Sequence, residues 1–299
     1  MATLGSLADR VLQLLQGDSL DQAEQTFLTA DVSPADLTLA VDDVSQLSQG
    51  LAEIGSELVW IKGVDRQAGT VALSPFGRGY RSTQAVSHLA GTAVVNSPRY
   101  SRAKVLETIN TCIESSYPDL FTFKAATFPY VAARNTYALP ADCEQLHSLA
   151  WESVGPSRTW IRANDYRFDP NADTDAFPSG KSVDIWEPIV PGRTIRVSYI
   201  TSPTPLDDES QSFTASGLAA TAEEAILYGA CYRLIGFLEP PRLQTAAVES
   251  SARSQLVPPG AGVNAAKFFY GLYLEALSNE RERLLRIHGT TVHRTRRLI

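Results

Sequence analysis

The sequence is poor in the residues that carry redox, nucleophilic and metal chemistry: among 299 residues there are one methionine, three cysteines and four histidines. A single methionine, Met1, excludes a Met-rich adaptable groove. Cys112, Cys143 and Cys231 are odd in number, far apart and set among apolar or helical neighbours. They read as buried free thiols of a reducing compartment, not as a disulfide framework. None lies near a histidine and none has C-x-x-C spacing, so zinc has no support. His88, His147, His288 and His293 form no i, i+4 pair. Long apolar runs are missing too, and nothing approaches the roughly 20 residues a bilayer span needs. The opening stretch, MATLGSLADRVLQLLQGD, lacks a basic lead and carries Asp9 and Arg10 within its apolar pattern. It reads as a short amphipathic helix rather than a signal peptide.

Catalytic patterns are equally scarce. There is no G-x-x-x-x-G-K-[ST] phosphate loop and no G-x-S-x-G elbow, and Gly77-Arg78-Gly79 has no third glycine before a helix start. Asp169, Asn171, Asp173 and Asp175 alternate oxygen ligands as a calcium loop does. However, Thr174 occupies the place of the turn glycine and Gly180 that of the bidentate glutamate, so an Asx-rich solvated loop is the expectation. The expected reading is a protein with no catalytic residues, no cofactor and no metal.

What is present is an ordinary folding composition, 44% hydrophobic and 20% charged, with a net charge of -7 unevenly spread. Residues 1–60 hold ten Asp or Glu against Arg10 alone, whereas Arg281, Arg283, Arg286, Arg294, Arg296 and Arg297 face only Glu282 in the last nineteen residues. Such polarity suits docking onto a partner of opposite sign, or repulsion of nucleic acid at one end. One short basic tail offers few phosphate contacts, which favours an acidic protein surface over DNA as its partner.

Periodicity divides the chain. Ser6 is expected to cap a helix reaching about Leu15, with Leu7, Val11, Leu14 and Leu15 on one face. Leu37–Val41, Glu57–Ile61 and Thr70–Leu73 alternate between glycines, predicting a small antiparallel β module over 35–97 after an N-terminal helix and linker, 1–34. A helix over 101–117 buries Val105, Leu106, Ile109 and Ile113 and stops at Tyr117-Pro118. Further strands fill about 125–210. Thr221-x-x-Glu224 then reads as a capping box for a helix that Pro240-Pro241 stops. A polar helix over 242–254 and a long one over 264–288, capped by Gly289, complete the pattern. The expected fold is α+β: a helical-bundle core (98–124 and 211–288), an inserted antiparallel β domain (125–210), a separate N-terminal β module, and an extended basic tail (289–299).

Two segments carry a resemblance. Leu37–Asp43, Ile54-Gly55-Ser56-Glu57-Leu58, Gly77–Ala85 and His88-x-x-Gly91-x-x-Val94 are similar to a β module recurrent in virion proteins of tailed phages, with Ser82 where that pattern most often has glycine. Tyr137-Ala138-Leu139-Pro140-Ala141-Asp142 resembles the Y-x-L-P-x-D signature of tailed-phage head-to-tail adaptor (connector) proteins. The resemblance implies a structural virion protein of the neck, assembled in the host cytoplasm. It further implies a ring of about twelve copies under the portal protein, contacts with other neck or tail proteins, and passage of double-stranded DNA without sequence recognition or membrane contact. An acidic N-terminal part would then face the DNA. His293, Arg294, Arg296, Arg297, Leu298 and Ile299 would form a portal-docking arm. Two other readings stand beside it. One is another neck, tail-terminator or baseplate-associated protein. The other is a carbohydrate-binding or hydrolytic protein using Trp151, Trp160, Tyr166 and Trp186.

Overall fold

The computed structural model describes residues 2–16, 24–153, 155, 159–246 and 261–289, excepting the side chains of 237–246 and 261. The described residues are mixed α+β and β-rich, with three antiparallel sheets and four helices.

The first helix, α1 (Leu4–Gln16), starts earlier than Ser6. Thr3 is its cap: Ser6 N–H donates to Thr3 Oγ1 (3.2 Å) while Thr3 N–H donates to Ser6 Oγ (2.8 Å), a reciprocal box in which Ser6 is the third helical residue. The amides of Leu4 and Gly5 also donate to the carbonyls of Gln211 and Glu209, so a distant loop fixes the start. Leu4, Leu7, Ala8 and Val11 are buried and Leu14 is exposed.

Six strands follow: β1 (Gln25–Phe27), β2 (Thr38–Ala40), β3 (Gly50–Ile54), β4 (Glu57–Asp65), β5 (Thr70–Leu73) and β6 (Ala93–Asn96), in spatial order β1-β6-β3-β4-β5-β2. The outer strands meet. Leu28 bridges Val41, Asp42 N–H donates to Phe27 O (2.9 Å) and Thr29 N–H to Ala40 O (3.0 Å), closing the sheet into a small barrel. Strand β1 lies in the stretch expected to be linker; its three residues bury only Thr26, too short a run to show a period of two.

Helix α2 (Arg102–Ser115) is capped by Ser101, whose Oγ accepts from Lys104 N–H (3.3 Å), and it ends before Tyr117-Pro118 as expected. The chain then builds two sheets. Strands β7 (Thr122–Pro129), β9 (Gln145–Glu152), β10 (Trp160–Arg162) and β13 (Thr194–Thr201) stand in the order β10-β9-β13-β7. Strands β8 (Thr136–Ala138), β11 (Tyr166–Asp169) and β12 (Ser182–Ile185) form the other sheet, in the order β11-β12-β8. Both sheets feed one apolar cluster, with Tyr137, Val183 and Ile185 from the second and Leu146, Leu149, Ile195 and Val197 from the first.

The chain returns to helix in α3 (Glu223–Ala246) and α4 (Ala261–His288), which pack along each other. The capping box expected at Thr221 is not formed. A 3-10 turn over Ala220–Ala222 with no side-chain cap runs into α3, and Glu223 and Glu224 sit in the first turn, where the helix dipole favours them. Nor does Pro240-Pro241 stop α3, whose backbone continues to Ala246. A proline's fixed φ is already helical, so a break is a cost and not an obligation. The rest of the expected 242–254 helix lies outside the described residues. At the end of α4, Gly289 adopts φ +69° and its N–H donates to Leu285 O (2.8 Å), the αL cap expected there. All four helices contribute to one apolar cluster that includes Leu7, Val11, Val105, Ile109, Ile113, Ile226, Leu234 and Leu284. No helix among the described residues is long and apolar enough to cross a membrane.

Candidate functional site

The expected docking residues His293, Arg294, Arg296, Arg297, Leu298 and Ile299 lie outside the described residues; the point from which they depart does not. His288 stacks on Phe123 of β7 with ring centroids 3.6 Å apart, and Phe123 meets His147 edge-on at 4.8 Å. Burial, with Arg283 nearby, lowers the His288 pKa. Three arginines that make the C-terminal part basic are already paired: Arg281 with Asp119 (3.4 Å), Arg283 with Glu280 (2.6 Å) and Arg286 with Glu282 (3.1 Å). The other three arginines of the basic end, Arg294, Arg296 and Arg297, lie outside the described residues.

The Tyr137–Asp142 signature is structural, with Tyr137 and Leu139 buried and Asp142 half-exposed at the edge of the core. Tyr137 is buried; its hydroxyl donates to Val131 O (3.0 Å) and accepts from Val131 N–H (2.9 Å), which clamps the loop before β8. Asp142 accepts from the Tyr199 hydroxyl of β13 (3.1 Å) and from Lys124 Nζ of β7 (2.8 Å). Burial alone would raise the Asp142 pKa, but those bonds outweigh it and lower it, while burial and Asp142 together push Tyr199 up to about 12. A tyrosine, a leucine and an aspartate at this spacing thus tie one sheet to the other.

On the barrel, the Gly77–Leu89 loop is organised by Glu57. Its buried carboxylate accepts from Arg78 Nε (2.7 Å) and Nη2 (3.0 Å), from Gly79 N–H (2.9 Å) and from Val86 N–H (3.2 Å), and it pairs with His88 Nε2 (2.9 Å). Burial pushes its pKa up, yet these partners outweigh burial and hold it at about 2. A Cβ on Gly77 would stand 2.7 Å from Trp60 O, so the loop approaches the sheet too closely for any side chain there. Ser82 has φ +67°, keeping the left-handed conformation that glycine adopts freely. Phe76, just before this loop, and Leu89 at its end are 91% and 71% exposed. Other exposed apolar side chains lie on α4, at Val263, Phe268, Tyr270 and Leu274.

The remaining candidates do not assemble into a site. Cys112, Cys143 and Cys231 are buried, and burial pushes their thiols up to about 11, 11 and 12, away from nucleophilic or metal-ligating thiolate. Asp169 and Asp173 accept from the backbone N–H groups of Asn171 (3.0 Å) and Asp175 (3.1 Å), the Asx turns of a solvated loop. Among the described residues no group of three His, Cys, Asp or Glu could hold a metal ion. The aromatics proposed for carbohydrate do not converge. Trp151 pairs with Ile161 and Trp160 with Glu152, so they point to opposite faces of one sheet. Arg196 covers the Trp160 ring at 4.5 Å, and Trp186 directly follows β12, a strand of the other sheet.

A family model described as SU10 adaptor protein matches residues 82–284, which takes in β6, α2, both later sheets and the two long helices but leaves out β1–β5 and the tail. No curated protein matches the chain. With about two thirds of its length matched, the chain belongs to the SU10 adaptor protein family, a family of phage adaptor-type structural proteins.

Proposed function

We propose that this protein is a non-enzymatic virion subunit that joins the portal of a tailed phage to its tail. About twelve copies form a ring, their helices make its bundled core, and double-stranded DNA passes through without being read. The family match over 82–284 carries this reading. The segment after Gly289 is the portal-docking arm, with Arg294, Arg296 and Arg297 meeting an acidic groove and Leu298 and Ile299 filling apolar pockets. Its support is the basic composition of that segment and the stacking of His288 on Phe123, which fixes the point from which it departs. The acidic N-terminal part, with Asp31, Asp36, Asp42 and Asp43 on the barrel, faces the DNA and lets it slide.

Mass photometry of the purified chain with and without portal protein tests this. Monomer alone and a multiple near twelve on the portal are the expected outcomes. Monomer under both conditions would overturn the adaptor reading. Another place in the neck or tail would be indicated by a ring that forms without portal and ignores it when added.

A further inference from the structure

The barrel and the helices have separate apolar cores with no residue in common. What joins them is polar. Glu53 on β3 lies between Ala52 and Ile54, both in the barrel core, so its own side chain points outward; it is nevertheless only 5% exposed because the start of α2 covers it. The Glu53 Oε1 accepts from the Arg102 N–H and from the Ala103 N–H (3.4 Å), the free donors of the first turn of α2. The Arg102 side chain turns away, to Glu209 (2.8 Å) and Asp9 (2.6 Å). Glu53 is therefore buried against backbone amides and, among the described residues, has no direct ion-pair partner. The connection above it is short: Ser97, at φ +45°, then Pro98 to Ser101, lead straight from β6 into α2.

We propose that the Glu53 carboxyl is a latch between barrel and helices, holding the barrel in place when protonated and loosening it when ionised. The groups that face it set the sign. From α2 comes Arg102, from the 207–211 loop Glu209, and from α1 Asp9 by way of Arg102; the flanking strands present Leu58 and Val95, which do not titrate. Burial raises the Glu53 pKa to about 7, with the amides of Arg102 and Ala103 and the charge of Arg102 only partly offsetting it and Glu209 adding to it. The docked joint thus takes up a proton that the undocked carboxyl, at its ordinary 4.5, does not. Docking is strongest in acid and weakens as pH rises toward and past 7.

The test is hydrogen exchange of residues 99–106 in the full chain, read by mass spectrometry at pH 5.5 and pH 8 and corrected for the intrinsic exchange rate. The expected result is a loss of protection on the order of tenfold from pH 5.5 to pH 8, with the protection of β3 and β4 unchanged. Glu53→Gln, which keeps the acceptor and removes the charge, is expected to hold the high protection at both pH values. Constant protection in the unaltered protein overturns the proposal, as does an equal loss in Glu53→Gln. Should that variant fold poorly, Glu209→Gln leaves Glu53 in place and must retain the pH dependence. The outcome is independent of portal binding and of the adaptor reading.

Discussion

At the scale of single residues, two buried glutamates four positions apart behave oppositely because their partners differ. Glu57 has a guanidinium, a histidine and two amides; Glu53 has amides only. The Glu57 side chain is wholly buried and Arg78 is 6% exposed, so Glu57→Gln strands a buried cation and is expected to cost about 3 kcal/mol in denaturant unfolding. Since its folded pKa is depressed, the stability from Glu57 is present above its ordinary 4.5 and is lost as pH falls toward 2, on the order of 3 kcal/mol in all. An acid titration of thermal unfolding in wild type and Glu57→Gln should show that loss only in the former. Ser82 offers the reverse experiment: Ser82→Gly removes a side chain from a left-handed position and should stabilise the protein by about 1 kcal/mol. Position 82 was legible as the place where glycine is usual. Glu57 and Glu53 were not, because nothing in the sequence tells which of ten acidic residues in the first sixty is covered by a neighbour.

At the scale of elements, legibility followed the strength of the periodic signal. Helix α2 shows a repeating apolar face and the chain after it obeys, and Gly289 terminates α4 as its backbone freedom allows. Replacing it by alanine forces a Cβ into φ +69° and should cost about 1 kcal/mol, seen as fraying of the last turn of α4 in hydrogen exchange and loss of the His288–Phe123 stacking. Boundaries set by tertiary contacts were hidden. The start of α1 is chosen by carbonyls of Glu209 and Gln211, some two hundred residues away, and the start of α3 by a 3-10 turn without a side-chain cap. The Tyr137 signature was legible as a motif, yet its work is visible only in three dimensions. Tyr137→Phe removes both bonds to Val131 and is expected to lower stability by about 1–2 kcal/mol, measurable by urea unfolding.

At the scale of the molecule, three apolar clusters are threaded on one chain. The α+β class and the β region between helices were legible from the switch in period; the closure of the first sheet was not, since it depends on a three-residue strand and a lone bridge at Leu28. Function was legible at the level of family and not of contact, because docking residues have no periodic or catalytic pattern to betray them. On the proposed adaptor reading, removing residues 290–299 is expected to abolish association with portal protein while leaving the thermal unfolding of the chain unchanged. Co-sedimentation with portal would measure the first effect and differential scanning calorimetry the second.

Closure of the barrel by the Leu28–Val41 bridge has a consequence for how the barrel can meet other chains. An open six-stranded sheet offers a row of unsatisfied amides that any adjacent chain can copy, and crowding turns that offer into runaway pairing. With its first and last strands zipped together, the barrel has no such row to lend. Among the described residues it offers exposed side chains such as Phe76 and Leu89, so a partner that docks there is recognised by shape and chemistry, and can be let go.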